Sequence, residues 1–191
     1  MVSQPTLETK TRLTSAACWA FVSRPENAER HFELVDGEIV EKAGAFIPSE
    51  VAANAGFYVK QYLLSNSIGR VTGADGTYHL SDEDEFIPDV AYISKTRMPE
   101  RPERGAPVPP ELAVEVKSLT DTRRQLRRKA ERYLQLGTLI VWLIFPEDRV
   151  VEVYSAKLDD VVTVAVDGQL SGEDVLPGFV LPVSAIFEES V

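Results

Sequence analysis

The amino-acid sequence predicts an α/β fold in which helices flank a central mixed β-sheet, and three observations carry that prediction. Phe32-Glu33-Leu34-Val35-Asp36-Gly37-Glu38-Ile39-Val40 joins two apolar runs at Asp-Gly, the dipeptide that favours a tight β-hairpin turn. Leu139 to Phe145 is almost wholly apolar, as expected of a strand buried on both faces. Two further segments, about Glu50 to Ser65 and Asp121 to Gly137, carry the helical period of apolar residues. At 191 residues, the chain suits one domain with a substantial core, read as residues 13–191 behind a mobile tail at 1–12.

In order, Ser15 to Ser23 reads as a short helix capped by Thr14 and stopped before Pro25. The Asp-Gly hairpin follows. Ser49 is placed to cap the next helix, whose stripe is Val51, Ala55, Tyr58, Val59, Tyr62 and Leu63, with Gly69 past its end. Arg70 to Leu80 is extended but broken at Gly73-Ala74-Asp75-Gly76, and Ser81 to Glu85 reads as an acidic turn. Phe86 to Ile93 and Glu111 to Lys117 read as strands. Residues 97–110 hold five prolines and form a loop, one candidate for closing over a substrate. From Asp121 a helix runs with Leu126, Ala130, Tyr133 and Leu134 inward, ended by Gly137. Arg149 to Ser155 and Val161 to Val166 alternate as antiparallel strands, and Val183 to Phe187 suits a last helical turn.

Composition narrows the classes. The single cysteine, Cys18, has no internal disulfide partner, and it sits among small apolar residues with no nucleophile constellation. No apolar run approaches the roughly 20 residues of a membrane span, so no membrane partner is expected and the reading is a cytoplasmic protein. His31 and His79 lack metal-ligand spacing, and Trp19 and Trp142 read as core. The net charge of −10 opposes broad nucleic-acid affinity, yet residues 95–132 hold 11 of the 20 basic residues and 6 of the 30 acidic ones. That local excess could face phosphates or simply be a solvated helix face.

The chemistry concentrates on two strands. Along the second, Glu111, Ala113, Glu115 and Lys117 share one face, while Leu112, Val114 and Val116 share the other. If the strand that starts at Asp89 lies alongside, Asp89 and Glu115 converge with Lys117. Two carboxylates and a lysine at one point suit metal-assisted phosphodiester hydrolysis. The bland readings are that Asp89 merely starts a strand and that Glu115 and Lys117 are an exposed pair, which would add about 0–1 kcal/mol of stability.

The element order, with Pro88-Asp89-Val90-Ala91, Glu111-Leu112-Ala113-Val114-Glu115-Val116, Val141-Trp142-Leu143 and Leu176-Pro177-Gly178-Phe179, resembles the PD-(D/E)xK nuclease superfamily. Within it the chain resembles the Uma-type restriction endonuclease family, formerly a domain of unknown function. The resemblance implies a restriction-endonuclease-like core and a Mg²⁺-dependent DNA endonuclease, with Mn²⁺ as a substitute. It implies that Asp89, Glu115 and the Val116 carbonyl hold the metal, and that Lys117 assists the attacking water. It also points to Glu33 as a further acidic residue. Family members usually carry an apolar residue at the position of Lys117 and draw the lysine from the following helix, which makes Lys129 the alternative. They often carry a histidine in the helix after Ser49, and this chain has none.

Arg123, Arg124, Arg127 and Arg128 are the candidate nucleic-acid contacts, and a homodimer is one expected arrangement for double-strand cleavage. Two other readings stay open. One is a catalytically silent nucleic-acid-binding or assembly module with the same fold. The other is a metal-dependent hydrolase of small phosphoesters.

Overall fold

The structure, a computed structural model, describes residues 12–188. Residues 1–11 of the tail expected at 1–12 lie outside them, whereas its last residue, Arg12, is tied down by ion pairs to Asp36 and Glu83. The chain opens with α1 (Ser15–Val22), whose N-cap Thr14 accepts from the Ala17 amide. The hairpin β1 (His31–Val35) and β2 (Glu38–Lys42) turns on Asp36 and Gly37, both with positive φ. That is the geometry of a two-residue turn whose twist matches the strands.

Helix α2 (Phe46–Ser65) begins ahead of Ser49, because Pro48 fits within a first helical turn and the Ser49 amide already bonds to the Ala45 carbonyl. After it come β3 (Gly69–Thr72), β4 (Tyr78–Ser81) and β5 (Asp84–Phe86). The acidic turn expected at 81–85 is thus shorter, and Asp84 is a buried strand residue that accepts from Ser81, the Asp36 amide and Arg132. The strand expected from Phe86 to Ile93 is interrupted at Ile87-Pro88-Asp89, where the chain passes from one sheet to another before β6 (Val90–Ser94). Pro88 has no amide to give a ladder, which suits it to this crossing.

Then follow β7 (Leu112–Val116), α3 (Arg123–Gln135), β8 (Ile140–Phe145) and β9 (Val150–Ser155). The helix expected from Asp121 starts at Arg123, with Thr122 capping it in a reciprocal capping box with Gln125. Gly137, at φ 101°, closes it, with the Thr138 amide reaching back to the Tyr133 carbonyl. The chain ends in β10 (Val162–Val164), β11 (Gln169–Ser171), β12 (Val180–Pro182) and α4 (Val183–Ile186).

Six strands form the main sheet in the order β10-β9-β8-β7-β6-β3, and β2-β1-β5-β4 form a second, smaller one. Only β7 and β8 in the main sheet run parallel, as the α3 crossover between them requires. One face of the main sheet packs Val114, Val116 and Trp142 against Val51, Ala55 and Val59 of α2. The other packs Ala113, Val141 and Leu143 against Leu126, Ala130 and Tyr133 of α3. Both β7 and β8 are therefore buried throughout. The face that Ala113 and Glu115 share is roofed by α3. Trp142 is core as expected, but Trp19 is half exposed under the Arg104 guanidinium. The proline-rich loop is held to β4 by two backbone bonds between Ala106 and Thr77 and His79, so it does not reach the cleft described next.

Candidate active site

A cleft of about 1210 Å³ opens between the β1–β2 hairpin, the first half of α2 and one side of α3. Its floor is where β6 begins and β7 ends. Antiparallel pairing sets Val90 opposite Val114, so Asp89 stands beside Glu115, as expected if the two strands were neighbours. The Asp89 carboxylate is fixed from below by the Val116 amide (2.8 Å to Oδ2) and from the hairpin by Lys42 (2.9 Å to Oδ1).

Lys129 lies with Leu126, Ala130 and Tyr133 on the buried side of α3. Its ammonium reaches Glu115 Oε1 (2.8 Å) and both oxygens of Glu33 (2.8 and 2.7 Å). Tyr133 donates its hydroxyl to the same Glu115 oxygen at 2.8 Å. Glu33 also accepts from the Ile87 amide at 2.6 Å, while the Ile87 carbonyl receives Lys42 at 2.6 Å. Both backbone groups of Ile87 are thus satisfied by the site's own side chains, which links the sheet change to the cluster.

Three carboxylates, Glu33, Asp89 and Glu115, face two ammoniums, Lys42 and Lys129, leaving one formal negative charge in excess. The excess is expressed at Glu115. Burial pushes its carboxyl up to about 7, with Glu33 and Asp89 adding to the rise against the pull of Lys129 and Lys42. Burial lowers both ammoniums, but the surrounding carboxylates outweigh it and raise Lys42 and Lys129 overall. Burial and the same carboxylates hold the Tyr133 phenol well above its ordinary value, so it serves as a hydrogen-bond donor.

Lys117 is placed elsewhere. Its ammonium pairs with Glu147 at 2.9 Å and the Ser118 carbonyl at 3.2 Å, and Lys129 takes the position beside Glu115 that strand parity suggested for Lys117. The physical reason is that β7 ends at Val116, and beyond it the side chain is drawn to the β8–β9 turn. The arginines divide as well. Arg127 clasps Glu152 with two bonds, and Arg123 pairs with Asp148 and lies over the Phe145 ring. Arg124 and Arg128 have no side-chain partner among the described residues, and only Arg128 of the four lines the cleft.

Lys42 was not anticipated, although a signal existed. The Asp-Gly turn fixes the register, pairing Glu33 with Val40 and His31 with Lys42, so Lys42 shares the face of Glu33.

The profile of the Uma2 family, described as "Putative restriction endonuclease", matches residues 19–184. The chain belongs to that family. Its fold is also that of a crystal structure described as "a putative nuclease belonging to DUF820 from Anabaena variabilis ATCC 29413". That likeness has a TM-score of 0.77 at 18% identity, covering 92% of this chain and 97% of the other. No curated protein matches the sequence. Membership of Uma2 supports a nuclease role. Among the described residues no helix is long and apolar enough to cross a membrane.

The donor set suits the metal that this fold family implies. Among the described residues no three Asp, Glu, His or Cys side chains gather into a ready-made cage. Magnesium needs none, since it takes one or two carboxylates and keeps several waters. Asp89 already holds a cation, the Lys42 ammonium, on the oxygen its backbone partner leaves available.

Proposed function

We propose that this Uma2 protein is a Mg²⁺-dependent endonuclease hydrolysing DNA phosphodiester bonds. The observation that carries the reading is the excess carboxylate at the cleft floor, where Glu33, Asp89 and Glu115 outnumber Lys42 and Lys129. Asp89, Glu115 and the Val116 carbonyl would hold the ion. When bound, Mg²⁺ polarises a phosphate oxygen and makes water a stronger nucleophile.

The chain's own residues supply the rest. Lys129, fixed by Glu33 and Glu115, would place a positive charge where negative charge grows on the phosphoryl group during in-line attack. In this role it replaces Lys117. Glu33 would act as a positioning residue, since both of its oxygens hold Lys129. Arg128 would meet the backbone of the polynucleotide from the wall of the cleft. A homodimer would provide two sites for double-strand cleavage, and exposed Val161, Val162 and Val180 offer apolar surface near the C-terminal strands.

The silent binding module is less well supported. Metal-free binding calls for a broad unpaired basic surface, and with Arg123, Arg127 and Arg132 taken up by Asp148, Glu152 and Asp84, α3 leaves Arg124 and Arg128 for it.

The test is incubation of supercoiled plasmid, single-stranded DNA and RNA with wild type and Glu115→Gln, with Mg²⁺ or Mn²⁺ and with EDTA. DNA cleavage by wild type alone, stopped by EDTA, is expected. Faster cleavage of RNA would change the substrate class. Metal uptake with no cleavage of any polynucleotide would contradict the nuclease reading and favour the small-phosphoester or silent alternatives.

A further inference from the structure

Lys42 is the more exposed of the two lysines at the cleft floor. It leaves the end of β2 on the cleft side and delivers its ammonium to Asp89 Oδ1 and the Ile87 carbonyl. The other Asp89 oxygen is already fixed by the Val116 amide. Lys42 therefore occupies the Asp89 oxygen that carries no backbone donor, and a metal ion binding there would meet its ammonium. Its side chain is 23% exposed against 10% for Lys129, so it can leave towards solvent while Lys129 stays locked between Glu33 and Glu115.

Charge balance indicates which cation gives way. With Lys42 in place, a divalent ion would leave the three carboxylates outweighed by positive charge. With Lys42 displaced, the carboxylates are matched by Lys129 and the ion. Two cations on one carboxylate oxygen also repel at close range, most strongly in a partly buried site.

We propose that Lys42 is a tethered cation that holds Asp89 in the metal-free protein and must be displaced for a divalent ion to bind. The proposal rests on the reading of Asp89 and Glu115 as the metal site. It makes Lys42 a positioning residue and an internal competitor that sets the metal concentration at which the site fills. An apparent affinity falls by the fraction of molecules able to bind, so a site occupied by Lys42 about nine-tenths of the time would be about tenfold weaker.

The experiment has two parts. Calorimetric titration of Mn²⁺ compares wild type, Lys42→Met and Glu115→Gln, with circular dichroism to verify folding. Lys42→Met is expected to bind at least about tenfold more tightly than wild type, the factor that such occupancy implies. The second part uses wild type and Glu115→Gln only, so it does not depend on Lys42→Met folding. Pulse acetylation with acetic anhydride, read by peptide mass spectrometry, should label Lys42 severalfold more once Mn²⁺ is added to wild type, with no change in Glu115→Gln. Equal or weaker affinity in folded Lys42→Met, or labelling unchanged by Mn²⁺ that binds, overturns the proposal and leaves the metal site standing. Absence of Mn²⁺ binding in both wild type and Lys42→Met overturns the metal site and the proposal together.

Discussion

Helix α3 carries an ion cluster on each side, and the two differ in a way that separates structure from chemistry. On the outer side, Glu152 has both oxygens engaged by Arg127, with Tyr154 donating to one, and Arg123 and Asp148 complete the group. Two guanidiniums meet two carboxylates, and the bidentate clasp leaves little for a ligand to satisfy. On the inner side, three carboxylates share two ammoniums at the floor of a cleft. One cluster is complete within the chain. The other is short of positive charge beside a space large enough for a substrate, and a charge deficit of that kind marks a functional site more strongly than ion pairing does.

The largest expected effect breaks the comparison directly. Asp89→Asn or Glu115→Gln should reduce plasmid cleavage by about a thousandfold or more, on the order of 4 kcal/mol of transition-state stabilisation. Glu152→Gln, also a buried carboxylate, should leave cleavage within about twofold and cost about 1–3 kcal/mol of stability through the unsatisfied guanidiniums. Comparable loss of activity at Glu152 would end the distinction between the clusters.

The two lysines sharpen it. Lys129→Met should slow cleavage by about 10²–10⁴, the range for a positioned group acting in the transition state. Lys117→Met should have little effect, because its partner is Glu147. Single-turnover rates with both variants at saturating metal would decide, and the reverse order would restore Lys117 to the site.

Stability against pH should differ next. Glu115 is pushed up to about 7 from an ordinary value of 4.5, so between those values the folded protein keeps a proton that the unfolded chain has lost. Stability from this group therefore falls as pH rises through that window and levels off above it. The fall is on the order of 3 kcal/mol at about 1.4 kcal/mol per pH unit, and Glu115→Gln should lack it. Lys129 does not oppose this slope, because its raised ammonium stays charged throughout the window. Urea unfolding at pH 5 and pH 7.5 measures the difference, and parallel slopes in the two proteins would contradict the assignment.

The smallest effect concerns the arginines. Arg128→Ala should lower the slope of log affinity for DNA against log salt by about 1, the loss of one phosphate contact. Arg127→Ala should leave that slope unchanged, since its charge is already matched by Glu152.

Much of the fold was legible because local signals agreed with the tertiary arrangement. Asp36-Gly37 fixed a hairpin, the apolar run through Trp142 marked a strand covered on both faces, and Gly137 marked the end of α3, two residues past Gln135. Asp89 and Glu115 were legible as a pair because strand parity is local and only their adjacency had to be supplied. The lysine was harder. Parity favoured Lys117, but parity holds only within a strand, and β7 ends one residue before it. Lys129 stands three residues after Leu126 and four before Tyr133 in the buried stripe of α3, a charged residue among apolar ones. That placement points to the lysine that the structure sets beside Glu115. The strands β11 and β12 went unread because each has three residues, too few for a period to show.

The central claim, that the inner cluster lacks a cation that a divalent ion supplies, is tested most directly by titrating Mn²⁺ to millimolar concentration into wild type and Glu115→Gln near pH 7. Buffers of different ionisation enthalpy would report protons displaced from Glu115 during binding. One ion per wild-type chain, taken up with proton release, is expected, with loss of that binding in Glu115→Gln. No uptake by wild type, or equal uptake by both proteins, would contradict it.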